Sequence, residues 1–366
     1  MLTKKPYLYN NFVITDEKRF YTLTYKFSKW RSYVVKRFFP EIRHNVQTIE
    51  EVLNLAEKGV EVKLLVWGVS LEEEGIELNH PLIKVLRLED GFIRSVGLGI
   101  RLTPPISLVA DSRGIYYNSQ KPSDLEYILS TYKFDQEIRE RARNIINKLI
   151  NLGITKYNLR EKPWSPPKTT KKILVVAGQV ETDMSIKYGS PVIKTNLELL
   201  RKVRENNPEE YIVYKPHPDV SKGYRKGYYD KKTLLEFCDE VCEGCSSLDL
   251  IKYGDEIHVI SSLFGFEALL RGKRVVCYGQ PFYSGWGLTE DIYPNERRKR
   301  KLSLDELVAG ALILYPMYVS LKNGNKISPE EAIEEIKELR TKLPLKWRLW
   351  SIIQLFLDPF LKIRRF

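Results

Sequence analysis

Residues 173–177 read ILVVA and are followed at once by the polar loop GQVETDMS, residues 178–185. An uninterrupted aliphatic run of this length predicts a strand buried on both faces, as in a parallel α/β sheet. In such sheets, functional groups lie in the loops at the carboxyl ends of the strands. Gln179, Asp183 and Ser185 are therefore candidate site residues, and the alternative is that Asp183 or Ser185 only caps a following helix.

The alternation of apolar runs and helical patterns extends in both directions from this strand, and it predicts an α/β protein with parallel sheets. The second half has predicted strands at Ile173–Ala177, Tyr211–Tyr214, Glu256–Ile260 and Val275–Tyr278, and predicted helices at Thr195–Asn206, Lys231–Phe237 and Gly265–Arg271. The first half has predicted strands at Val60–Val66, Ile83–Leu86 and Ser107–Ala110, and predicted helices at Ile49–Lys58 and Ser123–Ser130.

The stretch EKPWSPPKTTKK, residues 161–172, has the prolines and charges of a linker between domains. We predict an N-terminal Rossmann-like domain over residues 1–167, a second over 168–320 and terminal helices over 321–366. Two such domains predict a GT-B-like fold with the site in a cleft between them. Neither half shows the glycine motif of dinucleotide-binding or P-loop proteins.

The composition points to an anionic partner, because 59 Lys and Arg against 47 Asp and Glu give a net charge of +12. Phosphate, acidic glycan and anionic membrane all satisfy this charge. Nucleic acid is disfavoured, because the basic residues are scattered and no binding motif accompanies them. Four cysteines in 366 residues do not make a disulfide framework and favour a reducing compartment. The spacing of Cys238, Cys242 and Cys245 lacks a fourth zinc ligand.

The C-terminal segment KWRLWSIIQLFLDPFLKIRRF, residues 346–366, mixes aromatic and basic residues in an amphipathic pattern. Such a pattern is typical of helices that lie in a membrane interface, and equally of a terminal helix packed on the protein body. The N-terminus has no signal-peptide pattern, and no apolar run is long enough to span a bilayer.

A second candidate cluster follows the strand predicted at Ile83–Leu86. Glu89, Asp90 and Arg94 lie there ahead of a glycine-rich stretch, where a carboxylate could act as a base and the arginine could bind an anion. The alternative is a solvated turn in which Glu89 or Asp90 pairs with Arg94.

Anion-binding candidates occur after two later strands. Lys215 and His217, in KPHP, offer a cation and an imidazole on a loop stiffened by proline. Ser261 and Ser262 precede a predicted helix, whose free N–H groups favour anions, and Glu267 one turn later could bind ribose hydroxyls. A purely structural histidine is the alternative for His217.

The run VVCYGQPFYSGWGLTED, residues 275–291, combines glycines with polar and aromatic residues. Gln280, Ser284 and Trp286 are candidates for contacting a substrate, because the glycines allow close approach and the aromatic rings can wall a pocket. The alternative is an aromatic loop packed within the fold.

Motifs that occur in order between Arg87 and Asp291 resemble those of the KpsC-type capsule polysaccharide proteins. They are RLEDGFIRSVGLG, PPISLVADSRGIYYN with KPSDLE, TDMSIKYG, KPHPDV, SSLFGFEALLRGK and GQPFYSGWGLTED. The resemblance implies a GT-B-like, retaining β-Kdo transferase that takes Kdo from CMP-Kdo to a Kdo-bearing or lipid-linked glycan. It places the protein in the bacterial cytoplasm, peripheral to the inner membrane. Family members usually carry two such modules, whereas this sequence contains one, which leaves the acceptor open.

The resemblance also implies roles for individual residues. Asp183 maps onto the nucleophile of an N-D-x-S-like loop, with Thr182 in place of Asn, and Glu89, or else Asp90, is expected to be the base. Lys215 and His217 are expected to bind the phosphate. The nucleoside is expected to bind to Ser261, Ser262 and Glu267, and the sugar carboxylate to Arg94. Because the donor has a single phosphate and no D-x-D motif occurs, we predict an enzyme without metal or cofactor.

Two other classes of protein are compatible with the sequence. One is an inverting CMP-sugar transferase of the sialyltransferase type, which would give product of the opposite anomeric configuration. The other is a non-catalytic basic protein that binds membranes, which would release no CMP and would not depend on Asp183.

Overall fold

The structure is a computed structural model that describes residues 20–97, 103–159, 161–221 and 227–341. The chain divides into two compact units. The first comprises Met1–Asn147 and Asp305–Glu335, and the second comprises Lys148–Leu304 and Ile336–Phe366. The C-terminal segment 346–366, with its predicted membrane-interface helix, lies outside the described residues.

The first unit contains a six-stranded sheet. Its strands are β1 (Tyr21–Tyr25), β2 (His44–Val46), β3 (Val62–Trp67), β4 (Ile83–Asp90), β5 (Ser107–Asp111) and β12 (Pro316–Tyr318). Its helical segments are α1 (Lys29–Lys36), α2 (Ile49–Glu57), α3 (Ser70–Glu73), α4 (Asp124–Thr131), α12 (Leu304–Val308) and a π-helical turn at Ala309–Leu314. Helices α5 (Gln136–Asn151) and α13 (Pro329–Thr341) each run from the first unit into residues of the second.

The strand order in the first sheet is β2-β1-β3-β4-β5-β12. Strands β1 to β4 are parallel to their neighbours, whereas β5 is antiparallel to β4 and β12 is antiparallel to β5. The parallel pattern predicted from the sequence therefore holds for β1 to β4 but does not extend to β5 and β12. Apolar runs show that a strand is buried but not which way it runs, since direction depends on the connection between strands.

Both faces of the first sheet are covered by apolar side chains. On one face Leu65, Leu86 and Leu88 pack against Val34 and Val35 of α1. On the other face the core includes Leu64 and Val66 of β3, Val52 of α2 and Leu71 of α3. A sheet buried on both sides explains why its strands read as continuous apolar runs.

The second unit contains a six-stranded, all-parallel sheet. Its strands are β6 (Ile173–Ala177), β7 (Tyr211–Lys215), β8 (Glu240–Val241), β9 (Glu256–Val259), β10 (Arg274–Cys277) and β11 (Glu290–Asp291). Its helices are α6 (Met184–Lys187), α7 (Asn196–Asn206), α8 (Pro218–Ser221), α9 (Lys231–Leu235), α10 (Ser247–Tyr253) and α11 (Leu263–Leu270).

The order β8-β7-β6-β9-β10-β11 is that of a Rossmann-like sheet. The chain proceeds from β6 to β8 on one side and then returns to β9 on the other. The loops after β6 and β9 therefore flank the point where the strand order reverses, and ligands bind there in open α/β sheets. The structure thus confirms the predicted α/β class with two Rossmann-like sheets.

The compact units differ from the predicted domain limits at residues 167 and 320. Strand β12 pairs with β5, which places Asp305–Glu335 in the first unit. The chain thus returns to the first sheet late in the sequence, through pairing between strands that are distant along the chain. Local sequence signals such as the proline-rich linker do not predict such pairing.

Candidate functional site

Three predicted residues meet at the reversal point of the second sheet. The Gln179 side chain donates through Nε2 to Ser261 Oγ at 3.1 Å and accepts the Ser261 backbone N–H through Oε1 at 2.8 Å. Ser261 Oγ donates to the Ser185 backbone carbonyl at 3.0 Å. Gln179 thus joins the loop after β6 to the loop after β9, as expected for a built site rather than for two independent turns.

Asn196, which was not among the predicted site residues, holds this network in place. Its side chain accepts the Gln179 backbone N–H at 2.8 Å and donates to the Gln179 carbonyl at 2.9 Å. Its own backbone N–H donates to Glu181 at 2.7 Å. Asn196 is the first residue of α7 and is buried. The only signal in the sequence was an asparagine at a helix start, which is indistinguishable from ordinary capping.

Asp183 lies exposed at the start of α6, where its Oδ1 accepts the Ser185 N–H at 2.8 Å. The capping alternative is therefore realised in the structure. Capping does not use up the carboxylate, because Asp183 stays accessible at the carboxyl edge of β6.

Lys215, which is predicted to bind phosphate, has partners within the fold. It is buried, and its ammonium donates to Glu161 at 2.9 Å and to the Cys245 carbonyl at 2.6 Å. Glu161 also accepts the N–H of Ser247 at 2.7 Å. Binding a phosphate would require Lys215 to leave this buried ion pair, a non-local contact that the KPHP motif does not reveal.

His217 forms part of the turn that begins α8. Its Nδ1 accepts the Asp219 N–H at 3.1 Å, and its carbonyl accepts the N–H of Val220 at 2.9 Å. The imidazole is only partly buried. Since Nδ1 is an acceptor, the neutral ring carries its proton on Nε2, which is the donor that a phosphate would need.

Helix α11 begins at Ser262, whose Oγ accepts the Phe264 N–H at 3.3 Å. Glu267, on the same helix, accepts the Lys156 backbone N–H at 2.7 Å, and burial raises the pKa of its carboxyl. Glu267 therefore anchors the segment after α5. The contact of Glu267 with ribose hydroxyls stays a prediction.

The predicted pocket residues of the 275–291 run have structural contacts of their own. Trp286 is fully buried and its Nε1 donates to the Phe282 carbonyl at 2.9 Å. Ser284 is buried and donates to the Pro281 carbonyl at 2.9 Å. Gln280 donates to the Tyr293 carbonyl at 3.1 Å. These three side chains hold the loop in shape, and their contact with a substrate stays a prediction.

In the first unit, Glu89 and Asp90 are the last two residues of β4 rather than a turn beyond it. Asp90 Oδ2 accepts Arg94 Nε at 2.5 Å, and Arg94 also donates to Ser95 Oγ at 2.8 Å. The predicted alternative of an Asp90–Arg94 pair is thus realised, but the arginine is buried rather than solvated. Arg94 therefore pairs with a residue at the end of the strand that precedes it. The Glu89 carboxylate accepts the Asp90 N–H at 3.0 Å.

Cys242 and Cys245 form a disulfide, while Cys238 and Cys277 are buried thiols. The expectation of reduced cysteines therefore does not hold for this pair. Among the described residues, no group of three or more His, Cys, Asp or Glu is arranged to hold a metal ion. In that same part of the chain, no helix combines the length and apolar character needed to cross a membrane.

The chain belongs to the capsule polysaccharide biosynthesis protein family, which matches residues 78–161 and 133–326. The matched segments include β4 with Glu89 and the loops after β6 and β9. This confirms the family expected from the motifs between Arg87 and Asp291.

Curated relatives are longer than this chain. The capsule polysaccharide modification protein LipA of Neisseria meningitidis serogroup A is 46% identical over 309 residues, covering 84% of this chain and 44% of LipA. The lipopolysaccharide-processing protein LpsZ of Rhizobium meliloti is 40% identical over 267 residues, or 72% of this chain and 60% of LpsZ. The chain thus spans less than half the length of LipA.

Two solved structures of Thermosulfurimonas dismutans KpsC match nearly end to end. The β-Kdo 2,7 transferase shares 56% identity with a TM-score of 0.77, covering 87% of this chain and 99% of the other. The β-Kdo 2,4 transferase is 30% identical with a TM-score of 0.72, and the match covers the same fractions of the two chains.

Proposed function

We propose that this chain transfers Kdo from CMP-Kdo to a glycan acceptor during capsule or surface polysaccharide synthesis, forming a β-2,7 linkage. The observation that carries the proposal is the 56% identity to the KpsC β-Kdo 2,7 transferase, against 30% to the 2,4 transferase. Both comparisons cover the same share of this chain, so the difference in identity favours the 2,7 activity.

The proposed reaction is a double displacement with retention. The Asp183 carboxylate attacks the anomeric carbon of Kdo, and the bond from that carbon to the phosphate oxygen breaks to release CMP. An acceptor hydroxyl then attacks the same carbon and expels the Asp183 carboxylate. The exposure of Asp183 at the carboxyl edge of β6 supports this role.

The second step needs a base to take the proton of the acceptor hydroxyl. We assign this role to Glu89 in preference to Asp90. Asp90 is in direct contact with the Arg94 guanidinium, and this ion pair occupies one of its carboxylate oxygens.

The CMP phosphate is proposed to bind at the start of α11. The helix dipole favours an anion there, and Gln179 holds Ser261 in the loop that leads into the helix. One phosphate carries less charge than a diphosphate, which supports transfer without a bound metal.

The test is intact-protein mass spectrometry after acid quenching of a mixture of enzyme and CMP-Kdo without acceptor. We expect a species heavier by one Kdo residue, with the added mass on the peptide that contains Asp183. Asp183→Asn is the matched control and should show no adduct. With acceptor present, NMR should show a β-linked product; inverted configuration would overturn the double displacement, and a lack of CMP release would overturn the function.

A further inference from the structure

Arg31 occupies the position in the first sheet that corresponds to a ligand site in open α/β folds. The strand order reverses between β1 and β3, because the chain passes from β1 to β2 on one side and then to β3 on the other. Helix α1 follows β1 and carries Arg31 in its first turn. Ligands bind at the carboxyl ends of the strands at such a reversal.

The Arg31 guanidinium lies over the ring of Trp67, the last residue of β3, at 4.5 Å from the ring centroid. A second aromatic ring, that of Phe27, is at 5.9 Å. Stacking on Trp67 orients the guanidinium plane without using its N–H donors. These donors therefore stay available for a ligand.

Nearby arginines are committed to carboxylates, but Arg31 is not. Arg94 pairs with Asp90, and Arg87 pairs with Glu72 at 2.6 Å. Within the described ranges, the Arg31 side chain makes no hydrogen bond or ion pair. Burial lowers the pKa of Arg31, while the charges of Glu89 and Asp90 raise it, so Arg31 is a desolvated cation close to the end of β4.

Gly68, the residue after Trp67, allows close packing at the end of β3. Gly68 has a φ of +52°, and a Cβ at this position would clash with the Tyr117 hydroxyl and lie 3.6 Å from Glu89 Oε2. Its N–H donates to the Leu88 carbonyl at 2.8 Å. A glycine is therefore needed to bring the end of β3 close to Glu89.

We infer that Arg31, stacked on Trp67, binds the carboxylate of an acidic sugar in the acceptor and so places its hydroxyl near Glu89. This inference rests on the proposed function, since it assigns the acceptor side of the same reaction. A guanidinium binds a carboxylate through two parallel hydrogen bonds, which a neutral sugar cannot provide.

The test compares an oligosaccharide acceptor that ends in an acidic sugar with the methyl ester of the same acceptor. The wild-type enzyme should prefer the acid by about 10- to 100-fold in kcat/KM. Arg31→Gln should lose this preference and use both acceptors equally well. Arg31→Lys should recover only part of it, because an ammonium lacks the planar fork. Lys36→Gln removes one charge from the same helix at an exposed position and should keep the full preference.

An equal loss on acid and ester in Arg31→Gln would overturn the inference, since a structural role lowers both activities alike. A wild-type enzyme that does not distinguish the two acceptors would also overturn it. If the wild-type protein neither releases CMP nor transfers sugar, the proposed function fails instead. NMR titration with the acidic oligosaccharide then decides the role of Arg31: binding that is lost in Arg31→Gln supports the assignment, and binding unchanged in the variant overturns it.

Discussion

Replacing Lys215 with Met distinguishes a structural cation from a phosphate ligand. Lys215 is 6% exposed and bridges Glu161 and the Cys245 carbonyl. The variant leaves the Glu161 carboxylate in a partly buried position with hydrogen bonds from Ser247 but without its cation. Breaking a buried pair from one side costs about 3–5 kcal/mol.

Because the Ser247 hydrogen bonds to Glu161 remain, the expected loss lies at the lower end of this range, at about 3 kcal/mol in the free energy of unfolding. For a unit of this size that corresponds to a fall in Tm of roughly 6–12 °C. Glu161→Gln should cost a similar amount. The double variant Glu161→Gln/Lys215→Met should be less destabilised than the sum, by about 1–3 kcal/mol, because the two residues act as one pair.

The assay is urea unfolding followed by tryptophan fluorescence. Trp164 is a local reporter, because its N–H donates to Asp249 at 3.0 Å and its Nε1 to Glu240 at 2.9 Å. The KM for CMP-Kdo is measured in parallel. An unchanged unfolding midpoint with a raised donor KM would refute this reasoning and assign Lys215 to the phosphate.

Three further predictions concern the nucleophile, a buried histidine and metal dependence. Asp183→Asn should reduce transfer by roughly three orders of magnitude or more while still capping α6, whereas Asp183→Ala should also lose about 1 kcal/mol of stability; near-normal turnover of Asp183→Asn would exclude the nucleophile. Burial lowers the pKa of His258 to about 4, so as the pH falls the unfolded chain is protonated at this histidine before the folded chain is. The free energy of unfolding should therefore fall by roughly 3 kcal/mol between pH 6.5 and 4. Urea unfolding across that range should show a weaker pH dependence in His258→Phe, and an identical slope would contradict the assignment. EDTA should leave the transfer rate unchanged, and activity that is lost and then restored by Mg²⁺ would show that the phosphate needs a metal.

By itself, the sequence determined the α/β class, the family and four strands of the second sheet, β6, β7, β9 and β10. Those features are encoded locally, since a buried parallel strand is a short aliphatic run and the family motifs are contiguous. Ile173–Ala177 is predicted with the bounds that the structure has. The clustering of Gln179, Ser185 and Ser261 also follows from local rules, because each follows a strand end at the reversal point.

Only the tertiary structure decided which charged groups have partners. Lys215 meets Glu161, and Arg94 meets Asp90. It also revealed β1 and α1, the helix that carries Arg31, and the return of β12 to pair with β5. The physical reason is that such contacts join residues distant along the chain. A residue type shows what a side chain can bind, but the packing of distant elements decides whether a partner in the fold already occupies it.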